Sequence, residues 1–511
     1  MADRTAPPPR ATSNRSTTPV SHAFTDYIGS GWADRPDILP SARPQASFAA
    51  ARRQSLSAAF PGVTVVVPAG AAKVRSNDTD YPYRAHSAFA HLTAWGADTV
   101  PGSVLVLTPT ADGPDSGGHT ATLFFREAAG RDSDEFYANP EIGEFWTGPR
   151  PSLTQVGVDL GLDTASLTAL PAAIESAAAE TVTIRGIDAT VDSMIDAHLD
   201  ARLDLVSTST TPHVDGSFPA SETTGPTDAD LEREASESRL VKDDFEIEQM
   251  RLAVDATARG FDDVIGDLDA IVAHPRGERL IEGTFNRRAR ADGNTVGYDT
   301  IAASGPHACI LHWTRNDGPV LPGDLILLDA GIELESYYTA DITRTLPVDG
   351  TFTAVQRRVY DAVLEAADAA FAIVRPGIRF REIHQAAMTV IAERTAEWGL
   401  LPVDAAESLE PDKQYHRRYM VHGTSHHLGI DVHDCAKARR ELYLDGVLEE
   451  GMVFTIEPGL YFQPDDLTVP EEYRGIGVRI EDDILVTASG AENLSSGIPR
   501  TADEVEAWMR R

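Results

Sequence analysis

GDLILLDAGIELESYYTADITRTLPV, residues 323–348, is the stretch on whose reading the fold turns. An apolar run, LILL, leads straight into Asp329, and a second strand-like run carries Asp341. The polar residues around Glu335 and Ser336 suit a turn between them. Folded as an antiparallel hairpin centred on Glu335, the stretch sets Asp329 and Asp341 opposite one another on one face. Two carboxylates that close repel each other, and an unpaired charge beside so apolar a strand is costly to bury. A cation between them removes the conflict, whereas two unrelated surface aspartates would not follow such a run.

Other segments supply partners for that cation. VHGTSHHLGIDVHD (421–434) holds His422, His426, His427 and His433, four of the 15 histidines in the chain. In MVFTIEPGLY (452–461) an apolar strand runs into Glu457 before a Pro-Gly break. In GIGVRIEDDILVT (475–487), Val478 and Ile480 share one strand face while Arg479 and Glu481 share the other. The adjacent Asp482 and Asp483 read as solvated charges at a kink. Carboxylates with imidazole and no thiolate suit Mn²⁺ or a similar first-row divalent ion better than a structural zinc site. Four carboxylates carry −4, which two divalent ions balance. His422 and His426 have the HxxxH spacing of helical zinc peptidases, but Gly423 stands where that motif needs glutamate.

Composition narrows the classes. The 511 residues are too many for one compact core. With 44 basic and 79 acidic residues the formal charge is −35, which argues against a nucleic-acid partner. Only Cys309 and Cys435 occur, so no disulfide framework is present and a reducing compartment is expected. Residues 1–20 lack the apolar core of a signal peptide, and no run reaches the ~18 apolar residues of a membrane span. The expected location is the cytoplasm, without membrane attachment.

Four segments are expected. Residues 1–44 are rich in Pro, Ser, Thr and Arg and read as mobile. Residues 45–205 form an α/β domain, with strands at 63–70, 103–110 and 120–128 and helices at 47–60 and 168–180. Residues 206–235 read as a linker or surface loop, and 236–511 as a second domain. The latter opens on an amphipathic helix, with Ile247, Met250, Val254, Ala258, Phe261, Ile265 and Leu268 stepping at a period near 3.6.

Taken with YDTIAASGPHACILHW (298–313), RRYMVHGTSHHLGIDVHD (417–434) and EYRGIGVRIEDD (472–483), these motifs make residues 239–495 resemble the pita-bread metallopeptidases, specifically the Xaa-Pro peptidases. RSNDTDYPYR (75–84), FAHLTAW (89–95) and RDSDEFY (131–137) resemble, more loosely, the non-catalytic domain of aminopeptidase P. The resemblance implies an α/β N-terminal domain and an α+β catalytic domain whose curved antiparallel sheet is backed by helices. It implies five ligands for two divalent ions: Asp329, Asp341, His426, Glu457 and Glu481, with Asp341 and Glu481 bridging. Mn²⁺ is the expected ion, with Co²⁺, Zn²⁺ or Fe²⁺ as alternatives. The spacing of the two aspartates is one longer than the family's usual eleven, an insertion that a longer turn or a bulge would absorb.

By the same resemblance His312, His422 and His433 assist catalysis, while His427 is structural or partly exposed. Glu457 is the general base, and Arg479 orients Glu481. Tyr298, Tyr461 and Trp313 are candidate walls for a proline ring. The implied substrates are peptides with proline in second position, and the implied assembly is a dimer or tetramer. A prolidase, cleaving only Xaa-Pro dipeptides, would use the same five ligands. A binding protein on this scaffold should have lost ligands, and a creatinase-like hydrolase would work without them.

Overall fold

A computed structural model describes residue 19 and residues 21–510, apart from 34, 77–78, 111–117, 132, 141, 179 and 210–224. The chain divides into two compact units, residues 1–228 and 229–511.

The first unit is built on a mixed sheet of β1 (Thr64–Pro68), β2 (Val104–Pro109), β3 (His119–Phe125), β4 (Asp163–Ser166) and β5 (Thr181–Thr183), in the order β4-β3-β2-β1-β5. Every residue of β1 is buried, which is why TVVVP reads as a continuous apolar run rather than an alternating one. The expected helix at 47–60 spans Ala46–Ala59, and that at 168–180 is shorter, Leu170–Glu175.

Two segments carry helices beyond those expected. Within residues 1–44, of which 1–18 lie outside the described residues, His22–Ile28 form a helix whose cap Ser21 accepts from the Phe24 N–H. Of the expected linker 206–235, residues 210–224 lie outside the described residues and both ends are helical, in Ala189–Ser209 and Asp228–Glu237. Leu231 and Ala235, one turn apart, are buried along the second of these helices, a periodicity too short to stand out among its polar neighbours.

The second unit opens on α1 (Asp244–Gly266), capped by Asp243 and Glu246 accepting from each other's backbone N–H. Met250, Val254 and Phe261 of the expected stripe are buried. α2 (Gly277–Asp292) follows, then β6 (Ile301–Ser304), β7 (Leu325–Ala330) and β8 (Ile342–Pro347), which form an antiparallel sheet of order β8-β7-β6. The pair α3 (Ala354–Ile373) and α4 (Phe380–Glu397) precedes the remaining strands. These are β9 (Val453–Ile456), β10 (Gly459–Tyr461), β11 (Gly477–Arg479), β12 (Asp482–Thr487) and β13 (Gly490–Asn493), paired as β9-β12-β13 and β10-β11.

The deciding hairpin forms, but its register differs from the one expected. Asp329 pairs with Thr343 and Ala330 with Ile342, so the aspartates lie diagonally, two places out of direct opposition. The face is unchanged, because a shift of two preserves the alternation of side chains. The shift arises at the turn. Leu334 and Tyr338 close a three-residue loop in which Tyr337 adopts a left-handed φ of 71°. No irregularity interrupts the β7–β8 pairing, so the extra residue is taken up beyond the strands. Gly331 permits the crossing, since a Cβ there would lie 1.7 Å from the Ala340 carbonyl oxygen.

Cross-links draw the carboxylate-bearing strands together. Glu481 N–H donates to the Thr343 carbonyl at 3.1 Å, and Asp341 N–H to Asp483 Oδ2 at 3.2 Å. Thr455 N–H donates to the His426 carbonyl, and Glu457 N–H to that of Thr424, both at 2.9 Å. The histidine-rich loop is thereby stitched beside β9.

Candidate active site

A cleft of about 470 Å³ opens in the second unit, and all five expected ligands line it. Asp329 is the last residue but one of β7, Asp341 precedes β8, Glu457 follows β9, and Glu481 precedes β12. His426 reaches in from its loop. Its Nε2 lies 3.2 Å from Asp341 Oδ2 and 3.7 Å from Glu457 Oε1. Asp341, His426 and Glu481 each offer one ligand atom within 4.8 Å of the others. His426 Nδ1 faces the His427 carbonyl at 3.3 Å, an arrangement that leaves Nε2 for an ion.

Three of these carboxylates, Asp329, Glu457 and Glu481, are hard to ionise. Burial is the largest cause for Asp329, Glu457 and Glu481. It raises Asp329, although Arg479 opposes, and lifts Glu481 well above the usual range with the help of Asp341 and Glu457. It raises Glu457 to about 7 against the pull of His426 and Arg479. Burial would lower His426, but hydrogen bonding to Asp341 and the charge of Glu457 outweigh it and push the imidazole up to about 9. Oxygen and imidazole donors that hold surplus protons at one locus fit divalent cations, which displace those protons. Metal loading should therefore release protons, and stabilisation by added Mn²⁺ should grow as pH rises from about 5.5 to about 8. The sign follows from the raised values, because the folded, metal-free protein holds these protons more tightly than the ionised ligands allow. Thermal unfolding with and without the ion at each pH checks this; a larger metal effect at the acid end would contradict it.

The surrounding residues depart in part from expectation. Arg479, 4% exposed, makes no hydrogen bond to Glu481. It donates to Asp329 Oδ2, to Thr343 Oγ1 at 3.1 Å and to the Tyr461 hydroxyl at 3.1 Å. The partner of Glu481 is Thr343, whose hydroxyl donates to Oε2 at 2.7 Å. The Tyr298 hydroxyl sits 2.7 Å from Asp329 Oδ1 and also contacts Asp341 Oδ1, so it serves the ligands as well as lining the cleft. Tyr461, 5% exposed, and Trp313 are not among the cleft-lining residues. Tyr461 instead hydrogen-bonds His422 Nε2 at 2.7 Å, while Trp313 donates to Glu278.

His312, His422 and His433 all line the cleft. His422 Nδ1 lies 2.6 Å from the Gly423 carbonyl and 3.6 Å from Glu457 Oε2. Burial, then the Arg479 charge, lowers it to about 3, so it is a neutral imidazole. His433 packs edge-on against His426, with ring centres 4.4 Å apart, and is lowered by burial and then by that neighbour. His427 is 1% exposed, stacked on Phe380 at 4.6 Å and lowered by burial to about 3. It is structural and fully enclosed.

Asp482 and Asp483 are not solvated. They are 2% and 0% exposed and point to opposite sides of β12, the central strand of its sheet. Burial raises Asp482, but ion pairs with Arg344 at 2.8 Å and Arg500 at 2.7 Å outweigh it and hold its carboxyl low. Asp483 buttresses the Asp341 backbone and is itself pushed well up by burial. Their place on a strand that continues through ILVT was the available signal.

The fold and site agree with comparisons to known proteins. Residues 248–488 match the model of metallopeptidase family M24, and residues 49–184 that of the aminopeptidase P N-terminal domain. Xaa-Pro aminopeptidase 1 of Streptomyces coelicolor is 49% identical over 96% of this chain and 92% of its own. Xaa-Pro aminopeptidase 2 of the same organism is 50% identical, over 96% and 97%. Among solved structures, Escherichia coli aminopeptidase P with the inhibitor Pro-Leu superposes with a TM-score of 0.75 at 30% identity, covering 92% of this chain and 99% of that one. Proline aminopeptidase P II of Yersinia pestis gives 0.75 at 31%, over 91% and 99%. The chain therefore belongs to the Xaa-Pro aminopeptidase (aminopeptidase P) family of M24 metallopeptidases.

Proposed function

We propose that the chain hydrolyses the bond between an N-terminal residue and a following proline, with two divalent ions, manganese foremost, held by Asp329, Asp341, His426, Glu457 and Glu481. The convergence of four carboxylates and one imidazole on a single cleft carries this reading. Asp341 and Glu481, whose ligand atoms lie within 4.8 Å of each other and of His426, would be shared by the two ions. When bound, the ions supply Lewis acidity and lower the pKa of water towards neutrality.

The side chains divide the remaining work. Glu457, 3.7 Å from His426 Nε2 on one side and 3.6 Å from His422 Nδ1 on the other, takes the proton of the attacking water and passes it on. His422 stands 3.6 Å from it, its ring held by the Gly423 carbonyl and the Tyr461 hydroxyl. His433, packed edge-on against His426 with ring centres 4.4 Å apart, offers an N–H to the oxygen on which negative charge develops. His312 does the same from its own part of the cleft wall. A bond before proline lacks an N–H, so a cleft that grips the carbonyl side loses nothing when proline follows.

The names of the Streptomyces and Escherichia relatives support an aminopeptidase over a prolidase. Both cysteines are free and buried, which supports a reducing, cytoplasmic setting. Among the described residues no helix is long and apolar enough to cross a membrane. Arg-Pro-Pro and Ala-Pro assayed with Mn²⁺, with and without a chelator, test the proposal. The tripeptide should be cleaved faster, and the chelator should abolish turnover; cleavage of the dipeptide alone would overturn it.

A further inference from the structure

Glu278 lies outside the cleft, on the first turn of α2, and is 0% exposed. Its Oε1 accepts from the Ser304 N–H at 2.8 Å and from His307 Nδ1–H at 2.7 Å. Its Oε2 accepts from Trp313 Nε1–H at 2.9 Å and the Gly318 N–H at 2.7 Å. One carboxylate thus gathers donors from both ends and the middle of the segment 304–318, and only a carboxylate presents acceptors to all four at once. The His307 and Trp313 rings stack at 3.9 Å beside it. Residue 318 must be glycine, since a Cβ would sit 2.9 Å from Glu278 Oε2 and 2.8 Å from His307 Cε1. One turn further along α2, Glu282 accepts from Asn316 Nδ2 at 3.1 Å, a second tether on the same segment.

The segment ordered in this way carries Leu311, His312 and Thr314 to the cleft wall. The His312 side chain has no hydrogen-bond partner among the described residues, so its placement is inherited from the backbone that bears it. We propose that Glu278 is a positioning residue: by pinning Ser304, His307, Trp313 and Gly318 to one buried carboxylate, it aims His312 at the reacting bond. This rests on the role given to His312 under the proposed function. Positional errors of about 1 Å can lower turnover about 100-fold, so a tether outside the site has kinetic reach.

Glu278→Gln keeps the shape but turns an NH₂ towards two N–H donors. The expected result is a fall in kcat of about tenfold with little change in KM, and no further fall when Glu278→Gln is added to His312→Ala. Full metal content is expected to persist in both single variants. Trp313→Phe removes one donor while keeping the ring, and should give a smaller loss that likewise vanishes in the His312→Ala background. It decides the matter if Glu278→Gln does not fold. Losses of equal factor in both backgrounds would overturn the proposal, because Glu278 would then act independently of His312. A His312→Ala enzyme with unchanged kcat would overturn the reading of His312 itself and the proposal with it, which separates the two failures.

Discussion

Glu457→Ala is expected to lower kcat by about 10³-fold, the range of a lost general base, and to reduce bound metal from about two ions per chain. Two functions are proposed for the residue, metal ligand and base. Its Oε1 lies 3.7 Å from His426 Nε2, on the ligand side, and its Oε2 lies 3.6 Å from His422, on the proton-transfer side. Glu457→Gln separates them, because an amide still offers one oxygen but cannot accept a proton at neutral pH. It should retain more metal than the alanine variant yet lose about as much activity. Turnover of Arg-Pro-Pro alongside elemental analysis reads both; a glutamine variant within about tenfold of wild type would remove Glu457 from the role of base.

Glu481→Gln should separate stability from function. Glu481 is 2% exposed and is pushed well up by burial and by Asp341, Glu457 and Asp329. A buried carboxylate among like charges weakens the metal-free fold. A glutamine can still accept from the Thr343 hydroxyl and can donate to a neighbouring carboxylate. The metal-free variant should therefore unfold about 2–5 °C higher than metal-free wild type, equivalent to about 1–2 kcal/mol. In saturating Mn²⁺ the order should reverse, and activity should fall by about 10³-fold or more. Equal midpoints without metal, or a variant that gains as much from the ion as wild type, would contradict the assignment of Glu481 as a ligand. Strain of this kind at a functional site is retained for chemistry rather than for stability.

How far the sequence could be read depended on whether a signal was local. The stripe of α1 and the buried run of β1 were visible because their periods repeat within one element. Asp329, Glu457 and Glu481 stood out because each interrupts or ends an apolar run, whereas His426 was singled out among four histidines only by the family resemblance. The hairpin register was not, because it depends on Tyr337 at a positive φ, a conformation that glycine or asparagine would have advertised and tyrosine does not. Arg479 was placed on the correct strand face with the wrong partner, since a strand pattern gives direction but not the neighbour across the sheet. Asp483 and Glu278 were hidden for a related reason: Asp341 lies 142 positions from Asp483, and the donors to Glu278 lie 26 to 40 positions away.

The central claim is that carboxylates from four strand ends and one loop imidazole hold a pair of cations. Anomalous diffraction from crystals of the full chain grown with Mn²⁺ tests it most directly. Two manganese peaks are expected in the cleft, both in contact with Asp341 and Glu481, one also with Asp329 and the other with His426 and Glu457. A cleft without manganese in crystals whose dissolved protein cleaves Arg-Pro-Pro, or ions bound by other side chains, would contradict it.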